Sequence, residues 1–434
     1  MAVGTVAAVV VFALFVEGGA DGFASGGPVR PDRLSLGRQH LAGGAAALLR
    51  ARSIDERAGL PTSLPGPGSR DLEAVSCASS RACAAVGVRT LSSVGTATLA
   101  EVWKGSAWRT VATVNPVGSR LSQLIGVSCS SARSCIAVGF YVKRSHGGAL
   151  AEAWNGTAWR LLTLANPAGA AGSQLDSVSC SSAQACIAVG SYGTSSASFA
   201  LAEAWNGSTW KVLATPHTAV PAGEGLVGVS CSSPEACTAV GDSTSGTLAE
   251  AWNGSTWKIL VTPNPVGPSG QIGDQLTAVV NLSPSDAWAV GGRGAIAAIT
   301  AGTLIEHWNG SRWTVVSSPT PGLLGYELTG VAAVSGRDVW AVGVGDVASQ
   351  VGGTAKTLAL HWNGTTWNTV ATPHPNPYDA LNSVTRIPGT NDLWAAGTTT
   401  ARSIQQPLTE HWSGGHWNAT PATAGARNTR VRQL

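Results

Sequence analysis

Charge is scarce in this sequence: only 12% of residues are Asp, Glu, Lys or Arg, and the formal net charge is +3. That balance leaves no electrostatic footprint for nucleic acid. Tyrosine is nearly as scarce, with four residues, and the eight cysteines fall into four regular pairs, an inventory that excludes a copper-radical centre. A nucleophile elbow, a phosphate-binding glycine loop and a His-Glu-x-x-His motif are all missing. The apolar stretch over 2–16 is short for a membrane span and has the length of a signal-peptide core, although the usual basic residues do not precede it. Cleavage is expected near Ala20 or Ala24, with an uncleaved anchor as the alternative.

What the sequence has is repetition. All 17 tryptophans and all 8 cysteines fall on one unit that recurs seven times between Leu72 and Pro421. A period of about fifty residues with several strand signals per period predicts an all-β, seven-bladed β-propeller with four antiparallel strands per blade. In the fourth copy, strand one is expected over Leu226 to Cys231, strand two over Cys237 to Gly241, strand three over Leu248 to Trp252, and strand four from Trp257 onward. Asn-Gly between strands three and four is a strong hairpin signal. It also creates glycosylation-type sequences at Asn155, Asn206, Asn253, Asn309 and Asn363, which the turn alone accounts for. The chain divides into 1–25, a signal peptide or anchor; 26–70, a flexible stalk rich in Gly, Pro and Arg; 71–421, the ring; and 422–434, a basic disordered tail.

The cysteine pairs are Cys77/Cys83, Cys129/Cys135, Cys180/Cys186 and Cys231/Cys237, one in each of the first four repeats. Each pair flanks a short turn between two strands, so its members are expected to face each other at a Cα separation of ~4.5–5.5 Å and to form a disulfide. Zinc is the alternative, but the spacing exceeds that of common zinc ligands and pairs on different blades point apart. Each small loop contributes about 2 kcal/mol by chain entropy. Disulfides imply an oxidising, extracellular or cell-surface location. The last three repeats have Asn281/Ala287, Ala333/Val339 and Ile387/Leu393 at these positions, and add Trp288, Trp340 and Trp394 with Asp286, Asp338 and Asp392 in the preceding turn. His307, His361 and His411 recur on separate blades, which speaks for structural roles and against a metal cluster.

The pairing of Val-Ser-Cys-x5-Cys-x-Ala-Val-Gly with Trp-Asn-Gly-x-x-Trp resembles a group of secreted β-propeller repeat proteins of actinobacteria-like genomes. The resemblance covers 72–421, implies a secreted propeller, and brings no activity with it. More distantly the chain looks like kelch and Asp-box propellers. It departs from kelch in having one glycine after strand two, at Gly139 or Gly190, with only Gly291-Gly292 forming the kelch pair. The Asp-box order is not reproduced, so no sialidase or galactose-oxidase activity carries over.

Variable connections should share the face where the central channel opens. Polar residues lead into strand one: Asp71, Gln123, Gln174, Gln275 and Glu327, with Glu224 and Asp379 one position earlier in their blades. They are expected to ring the channel mouth, either as hydrated lining or as a ligand site. Tyr141, Tyr192, Tyr326 and Tyr378 lie in the surrounding connections, and tyrosines there suit carbohydrate or protein recognition. Glu101, Glu152, Glu203, Glu250, Glu306 and Glu410 share a strand-three position held by Leu360 in the sixth repeat, which points to blade-to-blade hydrogen bonds. The reading is a secreted or surface-associated, non-catalytic, monomeric binding module for a cell-envelope glycan or extracellular protein, with no cofactor, metal or nucleic acid. The alternatives are a glycoside hydrolase or lyase using carboxylates of the ring, such as Asp71 with Glu327 or Glu224 with Asp379, and a wall-associated scaffold.

Overall fold

Alternation of small apolar and polar residues, interrupted by Gly-containing turns, builds seven consecutive four-stranded antiparallel sheets in the computed structural model. The structure describes residues 68–420 apart from 93–94, 145, 196, 219–222, 265–273, 295–301, 321–324, 346–353 and 402–403. The proposed signal or anchor, nearly all of the stalk, and the tail lie outside the described residues. The blades span 70–111, 121–162, 172–213, 225–260, 275–315, 327–370 and 378–420, and in each the strands pair in chain order. The first strand of every blade packs beside those of its two neighbours around the axis. Blade 7 is complete within its own sequence, so the ring closes without a swapped strand.

The core lies between blades. Ala84, Val86, Ala100 and Val102 of blade 1, for example, pack against Leu124, Val127, Trp154 and Trp159 of blade 2. The two tryptophans of each hairpin pair in register, as in Trp154 with Trp159, whose ring centroids are 5.6 Å apart. Between them Gly156 adopts φ 97°, a left-handed conformation that favours glycine. Asn155 Oδ1 accepts from the backbone N–H groups of Thr157 and Ala158, both at 2.9 Å. Turn geometry thus accounts for the recurrent Asn-Gly.

All four disulfides form within blades 1 to 4, as Cys77–Cys83, Cys129–Cys135, Cys180–Cys186 and Cys231–Cys237. Each joins directly opposed residues of strands one and two, with Cα separations of 3.9–4.0 Å, closer than the expected cross-strand spacing. In blades 5 to 7, Trp288, Trp340 and Trp394 fill the space instead, and His307, His361 and His411 stack on them with centroids 4.2–4.5 Å apart. His307 and His361 also meet Asp286 and Asp338 at 2.8 and 2.9 Å. These histidines clasp their own blades, as their regular spacing implied.

Candidate functional site

The channel lining is created by a recurrent bulge in strand one. A leucine anchors each first strand: Leu72, Leu124, Leu175, Leu226, Leu276, Leu328 and Leu381 are all fully buried. The glycine opposite, in Ala-Val-Gly, lets the strands crowd together; a Cβ on Gly139 would lie 2.0 Å from the carbonyl oxygen of Gln123. Immediately after the leucine the register shifts by one residue in every blade. The extra residue is Glu73, Ile125, Asp176, Val227, Thr277, Thr329 or Asn382. Those residues meet neighbouring first strands at the axis. Thr277 and Thr329 donate to the carbonyl oxygens of Leu328 and Leu381 at 2.6 and 2.7 Å, and Asn382 donates to that of Leu72 at 2.9 Å.

Five of the seven polar residues expected at the channel mouth lie within this belt. Gln123 Nε2 donates to Glu73 Oε1 at 2.8 Å, Gln174 Nε2 to Asp176 Oδ1 at 3.0 Å, and Gln275 Nε2 to Glu327 Oε1 at 2.7 Å. Asp71 is buried beside Glu73, and Asn382 Nδ2 lies 3.5 Å from both carboxylates. The other two tie down the chain leading into their blades. Glu224 accepts from the Thr218 backbone N–H at 2.6 Å and faces His217 Nδ1 at 3.2 Å. Asp379 accepts from the Asn376 backbone N–H at 3.0 Å and from the Thr399 hydroxyl. A carboxylate held this way has both oxygens engaged, which argues against Glu224 and Asp379 as an acid–base pair.

The tyrosines separate similarly. Tyr326 is buried and its ring lies directly over Gly345; Tyr378 is buried at the start of a first strand, beside Ala355. Neither presents an open face to a ligand, because both begin the strand rather than cap a loop. Tyr141 is half-buried, with Lys143 Nζ 5.5 Å from its ring centroid. Tyr192 stacks on Phe199 at 5.4 Å, and His217 meets Phe199 edge-on at 5.3 Å.

Blades 3 to 6 enclose a cleft of about 200 Å³ at the mouth, walled by Gln174, Asp176, Glu224, Asp242, Gln275 and Glu327. Val227, 37% exposed, supplies an apolar surface within it. The stack of Tyr192, Phe199 and His217 adjoins the cleft through the contact of His217 with Glu224.

No protein family matches the sequence, and no curated protein matches it. Among solved structures, YCF48 bound to D1 peptide is similar in fold, with 13% identity, a TM-score of 0.46, and coverage of 84% of this chain and 96% of that one. Chaetomium thermophilum Sqt1 is similar at 10% identity and a TM-score of 0.47, covering 84% of this chain and 86% of that one. Sqt1 bound to the N-terminus of ribosomal protein L10 gives 11% and 0.45, covering 82% and 88%. Likenesses at this level say nothing about what this chain binds.

Electrostatically, the belt carries carboxyl groups that resist ionisation. Burial raises Asp176 to about 7, opposed by its bond from Gln174, and raises Glu73 to about 7, opposed by Gln123. Asp71 is pushed well above the usual carboxylate range by burial and then by the charge of Glu73. Among the described residues no group of three or more His, Cys, Asp or Glu is arranged to hold a metal ion. Glu73 and Asp176 were not among the expected site residues. The signal available was a polar residue directly after the anchoring leucine, as in Leu72-Glu73 and Leu175-Asp176, where simple alternation would hide it.

Proposed function

We propose that the protein is an extracytoplasmic, non-catalytic binding module that takes a component of the cell envelope, glycan or protein, at the channel-mouth cleft between blades 3 and 6. The observation that carries this reading is the cleft itself. Four residues singled out by their repeat position, Gln174, Glu224, Gln275 and Glu327, contribute to one concave wall, with Val227 as an apolar contact. Concave sites with a few convergent polar groups are where ligands bind. Four disulfides support placement in an oxidising compartment, with 1–25 as the export signal or anchor and 26–70 as a stalk that holds the ring away from its attachment.

The test is saturable binding of the purified full chain to cell-envelope fractions and immobilised glycans, beside a Val227→Trp variant whose indole fills the cleft. Binding by the wild type and its loss in the variant are expected. No saturable binding, or binding that Val227→Trp leaves unchanged, overturns the reading.

A further inference from the structure

The cleft is one-sided in charge. Asp176, Glu224, Asp242 and Glu327 are in its wall, and no lysine, arginine or histidine lines it among the described residues. Behind the wall, Glu250 is wholly buried, with neither carboxylate oxygen hydrogen-bonded, and it lies close enough to Glu224 for the two to repel. The stacked pair Tyr192 and Phe199 stands beside the cleft, offering aromatic surface of the kind that attracts cations. Gln174 and Gln275 donate to two of the carboxylates and hold them in position while leaving the negative charge uncompensated.

We propose that this cleft receives a basic side chain, lysine or arginine, from a polypeptide partner. The inference rests on the binding-module reading and narrows its ligand. A guanidinium or ammonium supplies donors to a site rich in carboxylate acceptors, and its alkyl stem suits the exposed Val227. A neutral sugar would satisfy hydroxyl hydrogen bonds and leave the charge excess in place. Burial holds Asp176 partly protonated near neutrality, and a bound cation would favour its ionised form.

The experiment uses fluorescein-labelled tetra-arginine and tetra-lysine peptides, tetra-acetyl-lysine as the neutral peptide, and a tetramer of N-acetylglucosamine as the neutral sugar. Each is titrated against the full chain by fluorescence anisotropy at low and physiological salt. The basic peptides should bind at least tenfold more tightly than the neutral probes. Asp176→Asn and, separately, Asp242→Asn should each weaken basic-peptide binding about tenfold or more, a loss typical of a charge-assisted hydrogen bond. Asp338→Asn, which removes the same charge from a turn between strands one and two of blade 6, should leave binding unchanged. Circular dichroism of each variant verifies folding, and two independent cleft variants keep the test decisive if one fails to fold.

Basic peptides binding no better than neutral ones overturns the inference. So does an equal loss in Asp338→Asn, which would mean diffuse attraction, or saturation by the neutral sugar. The two readings fail differently. Envelope binding lost in Val227→Trp but retained in both Asp→Asn variants preserves the binding module and rejects the basic side chain. Envelope binding indifferent to all three rejects the module as well.

Discussion

Ser179 Oγ in blade 3 accepts a hydrogen bond from the backbone N–H of Cys231 in blade 4, at 3.0 Å. The same bond joins Ser76 to Cys129, Ser128 to Cys180 and Ser230 to Asn281, at 2.9–3.0 Å. The serine of Val-Ser-Cys therefore ties each of the first four blades to the next. After blade 4 the ladder stops, since Val280 stands where the serine would be. From there tryptophans take over: Trp288 meets Trp362, Trp340 meets Trp412, and Trp394 meets Trp103 across the seam, with centroids 5.0, 4.3 and 5.0 Å apart. Four boundaries have a serine bond and three have an indole contact, which explains why the Cys-containing and Trp-containing repeats differ.

Replacing Ser179 by Ala leaves the Cys231 N–H without its acceptor in a partly buried site. The expected cost is about 1–3 kcal/mol. Guanidinium unfolding should show a lower midpoint with an unchanged slope. An unaltered midpoint would mean that water replaces the hydroxyl without loss, and the ladder would not contribute to stability.

Trp394 has a larger role because it seals the ring. It contacts Trp103 and, edge-on at 5.4 Å, Trp108, joining the last blade to the first where no strand is exchanged. Trp394→Ala should cost about 3–5 kcal/mol, as for truncation of a buried aromatic. It should also speed proteolysis at the blade 7–blade 1 boundary, read by mass spectrometry of the first fragments. Cleavage that begins elsewhere would place the weak point away from this seam.

Most of the fold was legible because each repeat carries its own instructions. Paired Cys, paired Trp, Asn-Gly and Ala-Val-Gly fix strands, turns and facing residues locally, and the structure reproduces them blade by blade. The site was less legible. Glu73 and Asp176 reach the axis only through a bulge, which depends on how closely two strands approach and not on alternation along one of them. Glu224 and Asp379 have the expected polarity, but the chain before each first strand folds back and occupies them. Tyr326 and Tyr378 follow Gly- or Pro-containing segments that read as loops, yet both are buried by neighbouring backbone.

The bulge supplies a test of that coupling between scaffold and site. A Cβ on Gly190 would fall 2.1 Å from the carbonyl oxygen of Gln174, whereas one on Gly193, three residues later on the same strand, meets nothing within 4 Å. Gly190→Ala should therefore destabilise the chain by at least the ~1–3 kcal/mol of an overpacked core and displace Gln174 and Asp176. Gly193→Ala should be close to neutral. Thermal melting and envelope binding measured on both variants decide it, and equal behaviour of the two would remove close approach as the reason for the glycine.

The strand-three glutamates make stability depend on pH. Glu250, Glu306 and Glu410 are fully buried and raised to about 8, chiefly by burial and secondarily by Glu224, Asp274 and Asp379 respectively. Glu152 and Glu203 are raised by burial to about 7, and a backbone N–H bond at each opposes the shift. Folded pKa values above the unfolded 4.5 mean that the folded chain holds more protons between the two values. Their contribution is complete below about pH 4.5, declines as pH rises, and is lost above about pH 8. The unfolding midpoint should thus fall from pH 5 to pH 8.5. Glu306→Gln, neutral at every pH, should flatten part of that fall and raise the midpoint at pH 8.5; blade 6, with Leu360 there, already lacks the charge. A midpoint that rises with pH, or a Glu306→Gln variant that follows the wild-type profile, would show that these carboxylates ionise in the folded ring without cost.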